Sequence, residues 1–183
     1  MTTTYIQDHN RLFDSLTEAL HRDLAHLSTE ANGGRSILFV YPPHDEEQYI
    51  EEARRRLTNG YAFIDLRQVF VEFINAKGID KFRKLYNNMG TEVFVSQNYP
   101  QGTFYYSLLQ KITEAADKGL SPVLVHTGVI FGMGFSNHNI MEDPAVMKFK
   151  KPLVFFYPAT QRGDSIYFLG FQPASKDRCV VVK

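Results

Sequence analysis

The chain has 183 residues, one cysteine, and twenty basic against twenty acidic side chains. A chain of this length buries roughly 70% of its unfolded surface as one domain and needs no disulfide or metal staple. Its charge balance removes the long-range field that draws a protein onto nucleic acid or an anionic membrane, and Cys179, being alone, forms no internal disulfide. Fifteen Phe and ten Tyr give an aromatic-rich globular composition. No apolar run approaches the roughly 20 residues that cross a bilayer, and no secretory leader pattern opens the chain, so a cytoplasmic location without membrane contact is expected. Arg54, Arg55 and Arg56, with Lys81, Arg83 and Lys84, form short basic clusters that read as solvated helix faces.

In chain order, Leu12, Phe13, Leu16, Leu20, Leu24 and Leu27 fall at helical spacing and predict one long amphipathic helix over 6–28. Asn32, Gly33 and Gly34 break it, and Ile37 to Tyr41 form a first strand ended by Pro42 and Pro43. A second helix follows, with Asp45 as its expected N-cap and Glu46 and Glu47 in its first turn. Ala62 to Asp65 give a second strand, and Val69, Phe70, Phe73 and Ile74 a helix closed by Gly78. Helices are predicted over 79–90 and 104–118. Between them Glu92 to Val95 look strand-like, and Asn98, Tyr99, Pro100, Gln101 and Gly102 form a loop. Strands over 123–126 and 153–157 are apolar on both faces. Two last strands, 165–171 and 178–182, are close enough in sequence to pair as a C-terminal antiparallel hairpin.

Strands alternating with helices require crossover connections and hence a mostly parallel sheet. The expected fold is a single domain over 1–183: a three-layer α/β/α sandwich, Rossmann-like or degenerate P-loop-like, with that hairpin appended. In such a sheet the functional groove lies outside the carboxyl ends of the strands. Three loops share that rim: Tyr41, Pro42, Pro43, His44 and Asp45; His126, Thr127 and Gly128 running on to Asn137, His138 and Asn139; and Tyr157, Pro158, Ala159, Thr160 and Gln161. The plainer reading of each is a rigid turn, a tight turn and hydrogen-bonded loop histidines.

No complete chemical motif occupies the rim. GxxxxGK[ST] and GxGxxG are absent, and two prolines stand where backbone N–H groups would face a phosphate. His126 and His138 have no third ligand at metal-site spacing, the nearest pairing being His138 with Glu142 at i, i+4. Ser136 and His138 are too close in sequence to form a productive dyad, and G-x-S-x-G is missing. Cys179 in CVVV has a buried-strand context that raises a thiol pKa. No catalytic residue, metal or cofactor is expected. Phe131, Met133, Phe135 and Met141 are the candidate interface anchors near the loop.

Taken together, the strand ending in Tyr41-Pro42-Pro43, LVHTGV at 124–129, NHNIM at 137–141, and KPLVFFYPA with IYFLGF across 151–171 resemble the BrxB-like family of BREX antiphage defence systems. The chain keeps Thr127, Gly128, Val129, His138, Phe156, Tyr157 and Pro158 of that pattern. It has Ile130 and Ala159 where the family has glycine, and Ser136-Asn137 where an arginine precedes the histidine, which marks a divergent branch and removes the basis for an inherited anion contact at this loop. The resemblance implies a non-enzymatic adaptor of a defence locus. Its implied partners are the PglZ-like alkaline-phosphatase-superfamily protein and, through it, other BREX components such as the methyltransferase and ATPase. The alternative expectation is a nucleotide- or small-ligand-binding α/β enzyme that uses the 126–138 rim.

Overall fold

The computed structural model describes residues 3–98 and 100–183; Tyr99, in the 98–102 loop, lies outside them. The protein is mixed α/β, with a mixed and partly parallel sheet. In chain order it runs α1 (Thr3–His21), α2 (Leu24–Glu30), β1 (Ser36–Tyr41), α3 (Glu46–Arg56), β2 (Tyr61–Asp65), α4 (Leu66–Lys77) and α5 (Ile79–Met89). It continues through α6 (Phe104–Asp117), β3 (Ser121–Val125), α7 (Asn137–Met141), β4 (Leu153–Arg162), β5 (Ser165–Phe168), β6 (Gln172–Pro173) and β7 (Cys179–Val182).

Five strands lie in the order β2-β3-β4-β1-β7, every neighbouring pair parallel. β1 is buried at all six positions, and its alternating side chains feed two separate cores. Ile37, Phe39 and Tyr41 pack with Phe13 and Leu16 of α1, Leu27 of α2 and Tyr49, Ile50 and Ala53 of α3. Leu38 and Val40 share the other core with Leu66, Val69 and Phe73 of α4, Phe104, Leu108 and Ile112 of α6, and Ile140 and Met141 of α7. The first core is aromatic: Phe39 lies 4.6 Å from Phe156 and 5.1 Å from Phe13 between ring centroids. Such pairs contribute about 0.5–1.5 kcal/mol each beyond the area they bury.

Several expectations are corrected. The 6–28 helix is two helices, because Asp23 leaves the helical conformation (ψ 151°) and its Oδ1 accepts from the His26 backbone N–H at 2.8 Å. A side chain that caps a new helix this well competes with continuing the old one. Asp45 precedes α3 without a side-chain cap bond; its carboxylate lies 3.1 Å from His44 Nε2 instead. The strand-like 92–95 stretch is a 3-10 turn, Gly90–Val93, that buries Val93 and Phe94. It follows directly on α5 through Gly90 (φ 58°), which leaves no extended run to pair.

The C-terminal hairpin is also corrected. β7 does not pair with β5; it joins the open side of β1 in parallel, Ser36 opposite Cys179 and Phe39 opposite Val182. The antiparallel partner of β5 is the second half of β4, Ala159 opposite Phe168 and Arg162 opposite Ser165. The 158–161 segment is therefore strand and not a rim loop. Pro158, which has no N–H, stands at the last pairing with β1, and β4 then changes partner.

Gly34 meets β7 at closer range than any side chain tolerates: a Cβ there would lie 1.9 Å from the Arg178 carbonyl oxygen. Gly34→Ala is expected to cost at least the ~1–3 kcal/mol of an overpacked site, measured by urea unfolding. Gly102→Ala, where the nearest atom is a flexible lysine tip at 4.0 Å, is expected to stay within about 0.5 kcal/mol of wild type.

Candidate functional site

The strand register sets Tyr41 opposite Pro158 and Asp65 opposite Val125, so β1, β2 and β3 end along one edge. His126 follows β3 in the left-handed region (φ 54°, ψ 42°), a conformation that costs a non-glycine residue about 1 kcal/mol or more. Its ring is 4% exposed. Nε2 is hydrogen-bonded to Glu47 Oε1 at 3.2 Å. Nδ1 lies 3.0 Å from Asp65 Oδ1 but off the hydrogen-bonding direction, which makes this contact electrostatic.

Arg67 closes the cluster into a ring. Its guanidinium lies 3.1 Å from Glu47 Oε1 and 3.4 Å from Asp65 Oδ2, and its backbone N–H donates to Asp65 Oδ1 at 2.9 Å, which makes Asp65 the N-cap of α4. Burial pushes the Asp65 carboxyl upward. The Arg67 side chain, the field of His126 and the Arg67 N–H together outweigh it and hold the carboxyl below its ordinary value. The two carboxylates face opposite nitrogens of one imidazole and so do not converge on a single ion; among the described residues no group of three or more His, Cys, Asp or Glu is arranged to hold a metal.

The other expected rim residues are structural ties. Tyr41 is buried and donates to Glu46 Oε1 at 2.7 Å, and burial followed by the Glu46 charge drives its phenol pKa far upward. Pro42 and Pro43 start a 3-10 turn ending at Asp45. Thr127 Oγ1 donates to the Phe156 carbonyl at 2.6 Å and pins β3 to β4. Gly128 turns beneath Leu169. Asn137, 1% exposed, accepts from the Tyr157 hydroxyl at 3.2 Å and donates to the Ser175 carbonyl at 3.1 Å. Asn139 Oδ1 accepts from the Ser136 N–H at 2.8 Å and from its hydroxyl, which occupies Ser136 away from His138. His138 pairs with Glu142 at 3.0 Å, and Glu142 also meets Arg178. The two histidines share no partner. Cys179 is buried, and burial first, then Asp177, pushes its thiol up to about 12.

Beside this rim lies a cavity of about 300 Å3, walled by Ile130, Phe135, Asn137, Tyr157, Phe168 and Pro173 among others. Tyr157 stacks on Phe168 at 4.6 Å along its floor. Of the four expected anchors, Met133, Phe135 and Met141 are buried in the core, so they are corrected to packing residues in this conformation. Phe131 is 50% exposed and stands edge-to-face against Phe171, itself 59% exposed, with ring centroids 5.4 Å apart.

No protein family, curated protein or solved structure matches this chain. Among the described residues no helix is long and apolar enough to cross a membrane. Sequence reasoning missed Glu47, Asp65, Arg67 and Phe171. Asp65 alone carried a signal, an aspartate directly before a helical run and so an N-cap.

His126→Ala keeps the strained backbone and removes the ring's centre, and is expected to cost ~1–3 kcal/mol in urea unfolding. The depressed Asp65 pKa stabilises the fold above its unfolded value of 3.8. That contribution is lost as pH falls through the lower folded value. The stability gap between wild type and Asp65→Asn is therefore expected to be full at pH 6 and to close below pH 3.8; a gap unchanged at pH 3 would overturn the assignment.

Proposed function

We propose that this chain is a non-enzymatic adaptor of a BREX-type phage-defence complex, acting in the cytoplasm and binding a PglZ-like alkaline-phosphatase-superfamily protein. Other components of the complex reach it through that partner, without direct nucleic-acid or membrane contact. The proposal includes the finer fold reading of a three-layer α/β/α sandwich of Rossmann-like character. The observation that carries it is the exposed Phe131–Phe171 pair beside an aromatic-lined cavity. Adjacent large aromatics in solvent are typical of an anchor surface, and a cavity of about 300 Å3 accepts a partner's side chain. The rim supports the same reading from the opposite direction: its ionisable groups are occupied with one another.

One observation favours the small-ligand enzyme as a second reading. His126 is a buried histidine in strained backbone at the carboxyl end of a parallel strand, where α/β enzymes place their chemistry.

The first test is co-purification of the tagged chain from its host. Wild type is expected to recover a PglZ-like protein, and Phe131→Ala with Phe171→Ala to lose it at least about tenfold while melting within a few degrees of wild type. Full recovery by the double variant would remove the aromatic surface from the reading; no such partner with wild type would remove the adaptor role. A ligand at 100 times its Kd adds ~2.7 kcal/mol of stability, a rise of roughly 5–11 degrees in melting temperature for a chain of this size. No such shift is expected with ATP, GTP, Mg2+ or Zn2+, and a shift with any of them would favour the second reading.

A further inference from the structure

The two edges of the parallel sheet are finished differently. At one edge, β7 has Val180 and Val182 buried on the side of α1 and α2, which pack against it, and Cys179 buried in the opposite core. At the other, β2 is half-exposed along most of its length and pairs with β3 alone. The Ser121 N–H bonds to the Gly60 carbonyl, which fixes the alternation of β2: the peptide groups of Gly60, Ala62 and Ile64 face β3. Those of Tyr61 and Phe63, and the N–H of Asp65, face outward. Among the described residues none bonds to these outward groups.

An open edge is a template for another strand, and proteins blunt it with proline, lysine, a bulge or a cover. The sequence Tyr61-Ala62-Phe63-Ile64-Asp65 has none of the first two, and its register with β3 runs unbroken without a bulge. A groove of about 310 Å3 follows the edge on the α4–α6 side, with Ile64 and Val69 at its base. Its charges are paired internally, Glu72 with Lys111 at 2.8 Å and Glu114 with Lys118 at 2.6 Å. On the opposite side Arg54 lies 4.7 Å over the Phe63 ring, and the Lys151 ammonium reaches the start of the strand at Gly60. Among the described residues neither Arg54 nor Lys151 has a carboxylate partner.

We propose that β2 is a docking edge for an extended segment of another protein, which adds a strand to the sheet and carries carboxylates at the positions facing Arg54 and Lys151. Main-chain bonds to Tyr61 and Phe63 supply affinity, and the Arg54 and Lys151 cations select acidic sequence. A second copy of this chain is the wrong occupant by charge. Antiparallel pairing of two β2 strands about Phe63 would bring two Arg54 guanidinium groups together. This edge uses none of the residues of the aromatic pair, and the proposal stands apart from the identity of any natural partner.

The test uses a capped synthetic peptide, two glutamates followed by alternating valine and threonine, titrated against the full chain by fluorescence anisotropy. Two controls accompany it: the same peptide with alternate amides N-methylated, and one with lysines in place of the glutamates. The acidic peptide is expected to bind, the N-methylated peptide at least about tenfold more weakly, and the lysine peptide more weakly than the acidic one. Phe63→Pro removes an outward N–H that the β2–β3 ladder does not use, together with the ring beneath Arg54, and is expected to lose binding while retaining the wild-type circular dichroism spectrum; Phe63→Ala, which loses the ring but keeps the N–H, is expected to retain binding. Should Phe63→Pro fail to fold, the N-methylated peptide decides. Equal binding of the N-methylated peptide, or no binding of the acidic one at millimolar concentration, overturns the docking edge. A wild-type dimer in sedimentation that Phe63→Pro converts to monomer overturns the acidic occupant in favour of self-pairing.

Discussion

The parallel pairing of Ser36–Tyr41 with Leu153–Arg162 on one side and Cys179–Val182 on the other is the constraint from which the rest of the protein is built. A strand buried at every position has no water for its peptide groups, so both of its edges must be paired by backbone. Its side chains point alternately to two faces, so both faces must be covered. α1, α2 and α3 cover one, with the Phe13, Phe39, Tyr49 and Phe156 rings between them and the sheet; α4, α6 and α7 cover the other. Once both faces are apolar, ionisable groups have room only at the ends and outer edges of the strands.

The ring of Glu47, Asp65, Arg67 and His126 occupies such an end. Glu47 belongs to α3 on one face, Arg67 to α4 on the other, and His126 lies between them at the end of β3. It is a clasp across the end of the sheet. Desolvation of charges offsets most of their attraction in partly buried ion clusters, so the clasp contributes more to fixing the placement of α3 and α4 than to net stability. The strained backbone at His126 persists because Glu47 and Asp65 hold the imidazole from its two nitrogens.

What the core and the clasp leave unused lies at two places of different chemistry. The Phe131–Phe171 pair offers apolar aromatic surface beside a cavity, the chemistry of a side-chain anchor. β2 offers peptide groups that no described residue pairs, flanked by cations, which suits main-chain pairing with an acidic strand. The net charge of zero conceals the second feature, because Arg54 and Lys151 are balanced by acids elsewhere on the molecule.

The sequence by itself determined the local elements. Alternating or continuous apolar runs placed β1, β2, β3 and the first half of β4; cap and charge signals placed α3; and the 3.6-residue period placed α4, and α5 and α6 to within a residue. These patterns are written within a few residues by backbone geometry. The tertiary structure decided partners. β7 pairs with β1 across more than a hundred residues because the open side of a buried strand must be filled, whereas the short spacing from β5 had suggested a hairpin. His126 meets Glu47, seventy-nine residues away, and Phe131 meets Phe171 across a turn held by Leu169 and Gly170 in left-handed conformations. Contacts of that span depend on which strands become neighbours, and periodicity carries no information about strand order.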